Sequence, residues 1–194
     1  MPEAEAFLLA HGFVRAARLT SVEGAVEEMR ASLTALRDRL LARGKVPAAA
    51  RMVRLREAPR GQVARLYAEF ILHHPDLPAA RIQQRLERGQ LDDSTVLLVN
   101  DRGEGMILWL LDGSLARVLA RVVTPSYQGG WANALLMATA LEWGCAAGAA
   151  RVRFESLDTN QDTLKLAQRF QAQVVEVKDR YVLRLGPADA AQPA

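Results

Sequence analysis

A Gly-Gly pair at the mouth of a helix is the feature of this 194-residue sequence best placed to do chemistry. In residues 122–136, VVTPSYQGGWANALL, an apolar run ends at Val122 and Val123, the turn carries Gly129 and Gly130, and a helical pattern opens at Trp131. The first amides of a helix have no intrahelical acceptors and carry partial positive charge. Such a terminus can therefore hold an anion such as a pyrophosphate, and glycines let the backbone approach it. A simple strand-to-helix turn would give the same pattern, so the pair does not choose between the two on its own. Other reactive side chains are sparse. His73 and His74 close a helix before Pro75, where a cation suits the helix dipole, and no second set of ligands accompanies them, so no metal is expected. The single cysteine, Cys145, falls in the Ala-rich back of a helix and reads as a buried, inert thiol.

Around the Gly-Gly pair the residues resemble the fingerprint of the GNAT (GCN5-related N-acetyltransferase) superfamily, a VxP strand end followed by (R/Q)xxGx(G/A) and a leucine in the ensuing helix. Val123, Thr124 and Pro125 supply the VxP, Gly130 and Ala132 the small positions, and Leu135 the leucine. Tyr127 then stands where Arg or Gln belongs. The loop reads as one residue shorter than usual, with Gln128 serving that role. Downstream, FESLDTNQDTLKLAQRF resembles the family's LEVxxxN segment and its AxxLYxxxGF helix. Asn160 matches the asparagine, Leu166 the leucine, and Glu155 the position at which members similar to ribosomal-protein N-terminal acetyltransferases place a catalytic base. Thr163 replaces the usual alanine, Gln171 and Ala172 replace Gly-Phe, and Ala167 falls where the tyrosine general acid belongs.

The resemblance implies transfer of an acetyl or other short acyl group from acetyl-CoA, as cosubstrate, to a primary amine. Its implied CoA-binding positions are Arg121, Val122, Val123, Gln128, Gly129, Gly130, Trp131, Ala132, Asn133 and Asn160, with Glu155 catalytic. In the family the pantetheine lies like an extra strand between the strands that end here near Val123 and Glu155. An amine near pKa 10 must lose a proton before it attacks a thioester, which is the task Glu155 would perform. A backbone N–H near Val122 or Val123 would meet the developing oxyanion. With Ala167 in place of the tyrosine, proton donation to the leaving thiolate falls to another group, such as Tyr181 or water. Two alternatives stay open: Glu155 as an exposed strand residue paired with Arg151 or Arg153, and Trp131 as a ring buried against the sheet rather than stacked on the cosubstrate. A non-catalytic CoA-binding regulatory or interaction module is the rival function, and an interaction domain without nucleotide affinity a third. The acceptor is not legible: Glu69 and Asp76, in the stretch from Leu66 to Leu86 expected to line its groove, could attract a cation, but ordinary surface charge explains them as well.

These residues need a scaffold, and hydrophobic spacing outlines one. Val26, Met29, Leu33, Leu36 and Leu40 form one helical stripe, preceded by a short helix over residues 4–11, an extended piece over 13–19, and Thr20 or Ser21 as a cap. Residues 1–45 thus read as an N-terminal helical extension, packed on the domain or completing a partner's sheet in a homodimer. The segment FLLAHGFVRAARL resembles the helix, Gly-Phe and strand with which GNAT domains close. Residues 51–185 read as the acyltransferase domain, and the Pro- and Ala-rich residues 186–194 as a disordered tail. Within the domain the expected elements are a strand over 51–56, two helices around Leu66 and Leu86, a hairpin of 95–99 and 106–111 through the turn NDRGEG, and a strand over 115–123. A long helix over 130–147, a strand over 151–156, a helix over 160–170 and two short strands over 173–177 and 181–185 complete it. The class is α/β (α+β), with a mixed, mostly antiparallel GNAT-like sheet flanked by helices.

Composition limits the partners. A formal charge of +3, from 25 Lys and Arg against 22 Asp and Glu, suits an anionic ligand but lacks the aromatic-interleaved basic stripe of a nucleic-acid binder. Early acids and the lack of a long apolar run near the start speak against a signal peptide or membrane span. With one cysteine no internal disulfide forms, so a cytoplasmic, soluble protein is expected.

Overall fold

A strand of sequence TVLLV, Thr95–Val99, is buried at every position, which only a sheet covered on both faces permits. The computed structural model, which describes residues 2–74, 77–158 and 161–183, supplies that cover. Its elements are α1 (Pro2–Ala10), β1 (Phe13–Ala25), α2 (Val26–Ala42), β2 (Ala50–Arg54), α3 (Arg60–Phe70), α4 (Ala79–Glu87) and β3 (Thr95–Val99). Then come β4 (Arg102–Asp112), β5 (Leu115–Val123), α5 (Trp131–Ala146), β6 (Arg151–Leu157), α6 (Gln161–Arg169) and β7 (Gln173–Leu183). The seven strands form one sheet in the order β2-β3-β4-β5-β6-β1-β7, antiparallel throughout except for the parallel pair β5–β6. The class is therefore α+β with a mixed, mostly antiparallel sheet, as the sequence pattern implies.

Alternation along the central strands builds two cores. Leu97, Val99, Ile107 and Trp109 face α2 and α5, while Val96, Leu98, Met106 and Leu108 face Leu66, Ile71 and Ile82 of the α3–α4 region. Asn100 and Asp101, with φ of 50° and 61°, both take the left-handed conformation of a two-residue hairpin turn. The turn is consequently shorter than NDRGEG, and β4 begins at Arg102. Gly105 lies in that recovered stretch. A Cβ there would sit 2.8 Å from Leu136 Cδ1 and 2.9 Å from the Val122 carbonyl oxygen. Gly105→Ala should thus destabilise by about 1–3 kcal/mol through overpacking. For a chain of this length each kcal/mol lowers the melting temperature by roughly 2–4 °C, and an unchanged melting temperature would show that α5 can give way.

The largest departure from expectation concerns residues 1–45. Rather than a helical extension, this segment contributes a 13-residue strand inserted between β6 and β7. Ser21, Val22 and Glu23 are all buried in succession, so β1 lacks the period-two pattern by which a half-buried strand is recognised. Thr20 and Ser21, expected to cap a helix, are strand residues, and α2 follows Ala25 without a side-chain cap. Backed by β1, β7 runs unbroken where two short strands are expected. Arg18 donates to Asp179 through Nε at 2.7 Å and Nη2 at 2.8 Å, holding the Lys178-Asp179-Arg180 stretch in the ladder instead of a turn. On the other side of the chain reversal, α2 buries Val26, Met29 and Leu33, and Arg37 Nη1 donates to both carboxylate oxygens of Glu142 in α5 at 2.7 Å.

Candidate functional site

β5 and β6 start as neighbours and then part. Their parallel register covers only residues 115–117 against 151–153, after which the strands diverge and a cleft of about 860 Å³ opens between them. It is lined from one side by Phe70, His74, Leu77, Arg81 and Arg85 and from the other by Met29, Met137, Leu141 and Gly144, so it reaches both faces of the sheet. Residues 118–123 of β5 are left without a ladder partner on the β6 side. Leu119 is in addition an extra residue in the β4–β5 register, between Val118 and Ala120. A bulge leaves backbone groups unpaired, and this one lies in the cleft wall, closer to the point of divergence than Val122 or Val123.

One end of the cleft leads to the Gly-Gly turn. Gln128 lines it and donates from Nε2 to the Val123 carbonyl at 3.1 Å, tying the loop to the strand end. Thr124 secures the same strand end by donating from Oγ1 to the buried Glu104 carboxylate at 2.6 Å. Gly129 has φ +70°, a conformation for which glycine is suited, and Gly130 precedes α5 with no side-chain cap. A Cβ built at either glycine meets no atom within 4 Å. The space before the first α5 amides is thus open to a ligand. Ala132 is fully buried, so only its backbone could take part, while Trp131 is half-buried with its ring edge-on to Tyr127 at 5.6 Å. Asn133 is half-buried in the first turn of α5. Arg121 leaves β5 toward α6 and α5, donating to Thr163 Oγ1 at 2.9 Å and to Met137 Sδ at 3.5 Å. Asn160 lies outside the described residues.

Glu155 stands in the opposite wall of the cleft, on β6 and solvent-exposed. Its register partner on β1 is Ser21, whose Oγ donates to Glu155 Oε1 at 3.2 Å. The arginines that could have neutralised it are engaged elsewhere. Arg151 Nη1 and Arg153 Nη2 reach the two carboxylate oxygens of Glu23 at 2.7 and 2.6 Å. Glu23 is held below the usual carboxylate range, first by the hydrogen bond from Arg153 and against the opposing effect of burial. Ser21 and Glu23 escape a sequence reading, because only the pairing of β1 with β6 brings them to this site.

Several other expectations are revised by position. Tyr181 is absent from the cleft wall and donates its hydroxyl to Glu5 Oε1 at 2.9 Å, and desolvation together with that bond raises its pKa. Ala167 is 3% exposed and does not line the cleft, so a phenol there would first meet packed protein. Glu69 accepts from Arg65 Nη1 at 3.0 Å and is also not in the wall, and Asp76 lies outside the described residues. Trp109, which no motif flags, lines the cleft while its buried Nε1–H has no acceptor among the described residues. Among the described residues no helix is long and apolar enough to cross a membrane.

No family model matches the sequence, and no curated protein matches it. Solved structures do match. A tandem GNAT protein from the clavulanic acid biosynthesis pathway shares 17% identity at a TM-score of 0.63, covering 97% of this chain and 60% of that one. A GCN5-related glucosamine N-acetyltransferase region of a fungal multi-domain GH3 beta-N-acetylglucosaminidase shares 14% identity at a TM-score of 0.65, covering 93% of this chain and 22% of that chain. A GCN5-related N-acetyltransferase from Sphaerobacter thermophilus shares 13% identity at a TM-score of 0.59, with 93% and 55% covered. This chain thus spans less than two thirds of each of those proteins. The sheet order, the diverging parallel pair and these likenesses agree that the chain has the fold of the GCN5-related N-acetyltransferases.

Proposed function

We propose that the protein transfers an acetyl or other short acyl group from acyl-CoA to a primary amine in the cleft between β5 and β6. The observation that carries the reading is the divergence itself, which leaves a gap in the sheet that leads to an open Gly-Gly turn and has in its wall a carboxylate without an arginine partner among the described residues. The pyrophosphate would rest on the amides of residues 128–133, helped by the α5 dipole. The pantetheine would bond to the unpaired β5 edge. The amine nitrogen attacks the thioester carbonyl carbon, and its proton passes to Glu155 directly or through water. As the C–N bond forms and the C–S bond breaks, a backbone N–H of the splayed β5 stretch, near Leu119, Val122 or Val123, steadies the oxyanion. The thiolate, of pKa about 8.5, leaves without full protonation and takes a proton from water.

Acetyl-CoA at ~100 times its dissociation constant should stabilise the native protein by about 2.7 kcal/mol, seen as a raised melting temperature. Gly130→Val has room for its side chain in the free protein and should melt like the wild type, yet bind CoA at least about tenfold more weakly because the side chain fills ligand space. Equal affinity in the folded variant would remove the Gly-Gly turn from the site. The buried Ala167 favours a second reading, binding without transfer. CoA release from acetyl-CoA over a broad amine panel separates the two.

A further inference from the structure

The cleft wall carries five arginines, Arg81, Arg85, Arg117, Arg121 and Arg153, against two carboxylates, Asp112 and Glu155. Three of the five are engaged: Arg117 with Asp112 at 3.1 Å, Arg153 with Glu23 at 2.6 Å, and Arg121 with Thr163 at 2.9 Å. Arg81 and Arg85 are different. Neither has a carboxylate within ion-pair distance among the described residues, and Arg85 reaches only Gln90 Oε1 at 3.4 Å.

Their placement on α4 opposes the helix. Arg81 lies in the first turn, which contains no acidic residue, and the helix dipole disfavours a cation there. Arg85 is four residues on, so the like charges share one face and repel. The dipole at the C-terminal end of α4 accounts for Arg85 but not for Arg81. Both arginines nevertheless line the cleft together with Phe70 and Leu77, and Glu155 lines the same cleft.

We propose that Arg81 and Arg85 form an anion subsite that selects an acceptor amine bearing a carboxylate or a phosphate. The inference rests on the acyl-transfer reading and names its substrate class. The acceptor is bipolar. Its ammonium end approaches Glu155, and its anionic end is held by guanidinium groups, which make charge-assisted, often bidentate bonds to either anion.

The test uses the full chain and matched acceptors: 6-aminohexanoate against its primary amide, β-alanine against β-alaninamide, and phosphoethanolamine against ethanolamine. Calorimetric titration into the protein saturated with CoA is read first, then kcat/KM with acetyl-CoA. At least one anionic member should exceed its neutral partner about tenfold or more, and the pair that responds distinguishes carboxylate from phosphate. In Arg81→Gln/Arg85→Gln the ratio should collapse toward one while CoA affinity stays unchanged. Binding of an anionic member without turnover would sink the transferase reading but support the subsite. Equal binding of both members in every pair, a ratio that survives the double substitution, or a double variant that loses CoA affinity instead would each overturn the subsite.

Discussion

Removing residues 1–45 is expected to abolish native folding rather than trim an appendage. β1 contributes seven register pairs with β6 and ten with β7, so its loss leaves β7 with no strand partner and exposes a long edge of β6. Val22, Val26, Met29 and Leu33, all 5% exposed or less, would go with it. Burying each such side chain contributes about 1.5–3 kcal/mol. Together that is comparable with the whole stability of an ordinary domain, about 5–15 kcal/mol. The shortened chain should be insoluble or show no cooperative thermal transition. A soluble product with the wild-type melting temperature would contradict the placement of β1 inside the sheet.

Replacement of Glu155 by glutamine should lower turnover by about 10²–10⁴-fold, the usual contribution of a positioned general base, while leaving CoA affinity nearly intact. Affinity is spared because the proposed CoA contacts, on the β5 edge and the loop that begins at Gln128, lie across the cleft from Glu155. The same change leaves Ser21 with an acceptor, since a glutamine carbonyl oxygen can take the bond now made at 3.2 Å, so little structural loss should accompany it. Rates are read as CoA release with a responsive amine across pH. Equal rates for wild type and variant would take Glu155 out of the chemistry. The position of Ala167 adds a contrast: with its Cβ in packed surroundings, Ala167→Tyr should cost stability before it offers a donor. Tyr181, whose hydroxyl donates to Glu5, is no substitute.

The features legible from the residues alone are local. The apolar run through Thr95–Val99, the Gly-Gly turn opening α5, the stripe from Val26 to Leu33 and the position of Glu155 on a strand all depend on residues a few places apart, whose spacing encodes helix or strand directly. The fold class followed from that order. The features that arise on folding are non-local: the insertion of β1 between β6 and β7, the unbroken run of β7, the pairing of Ser21 with Glu155 across 134 residues, and the capture of Arg151 and Arg153 by Glu23. No spacing rule reports such neighbours, since a strand buried along both flanks loses its alternation. Its partners are set by which edge of a distant strand stands unpaired. The same holds for the placement of Arg81 and Arg85, which no motif flags and which line the cleft only because α4 packs beside strands formed elsewhere in the chain.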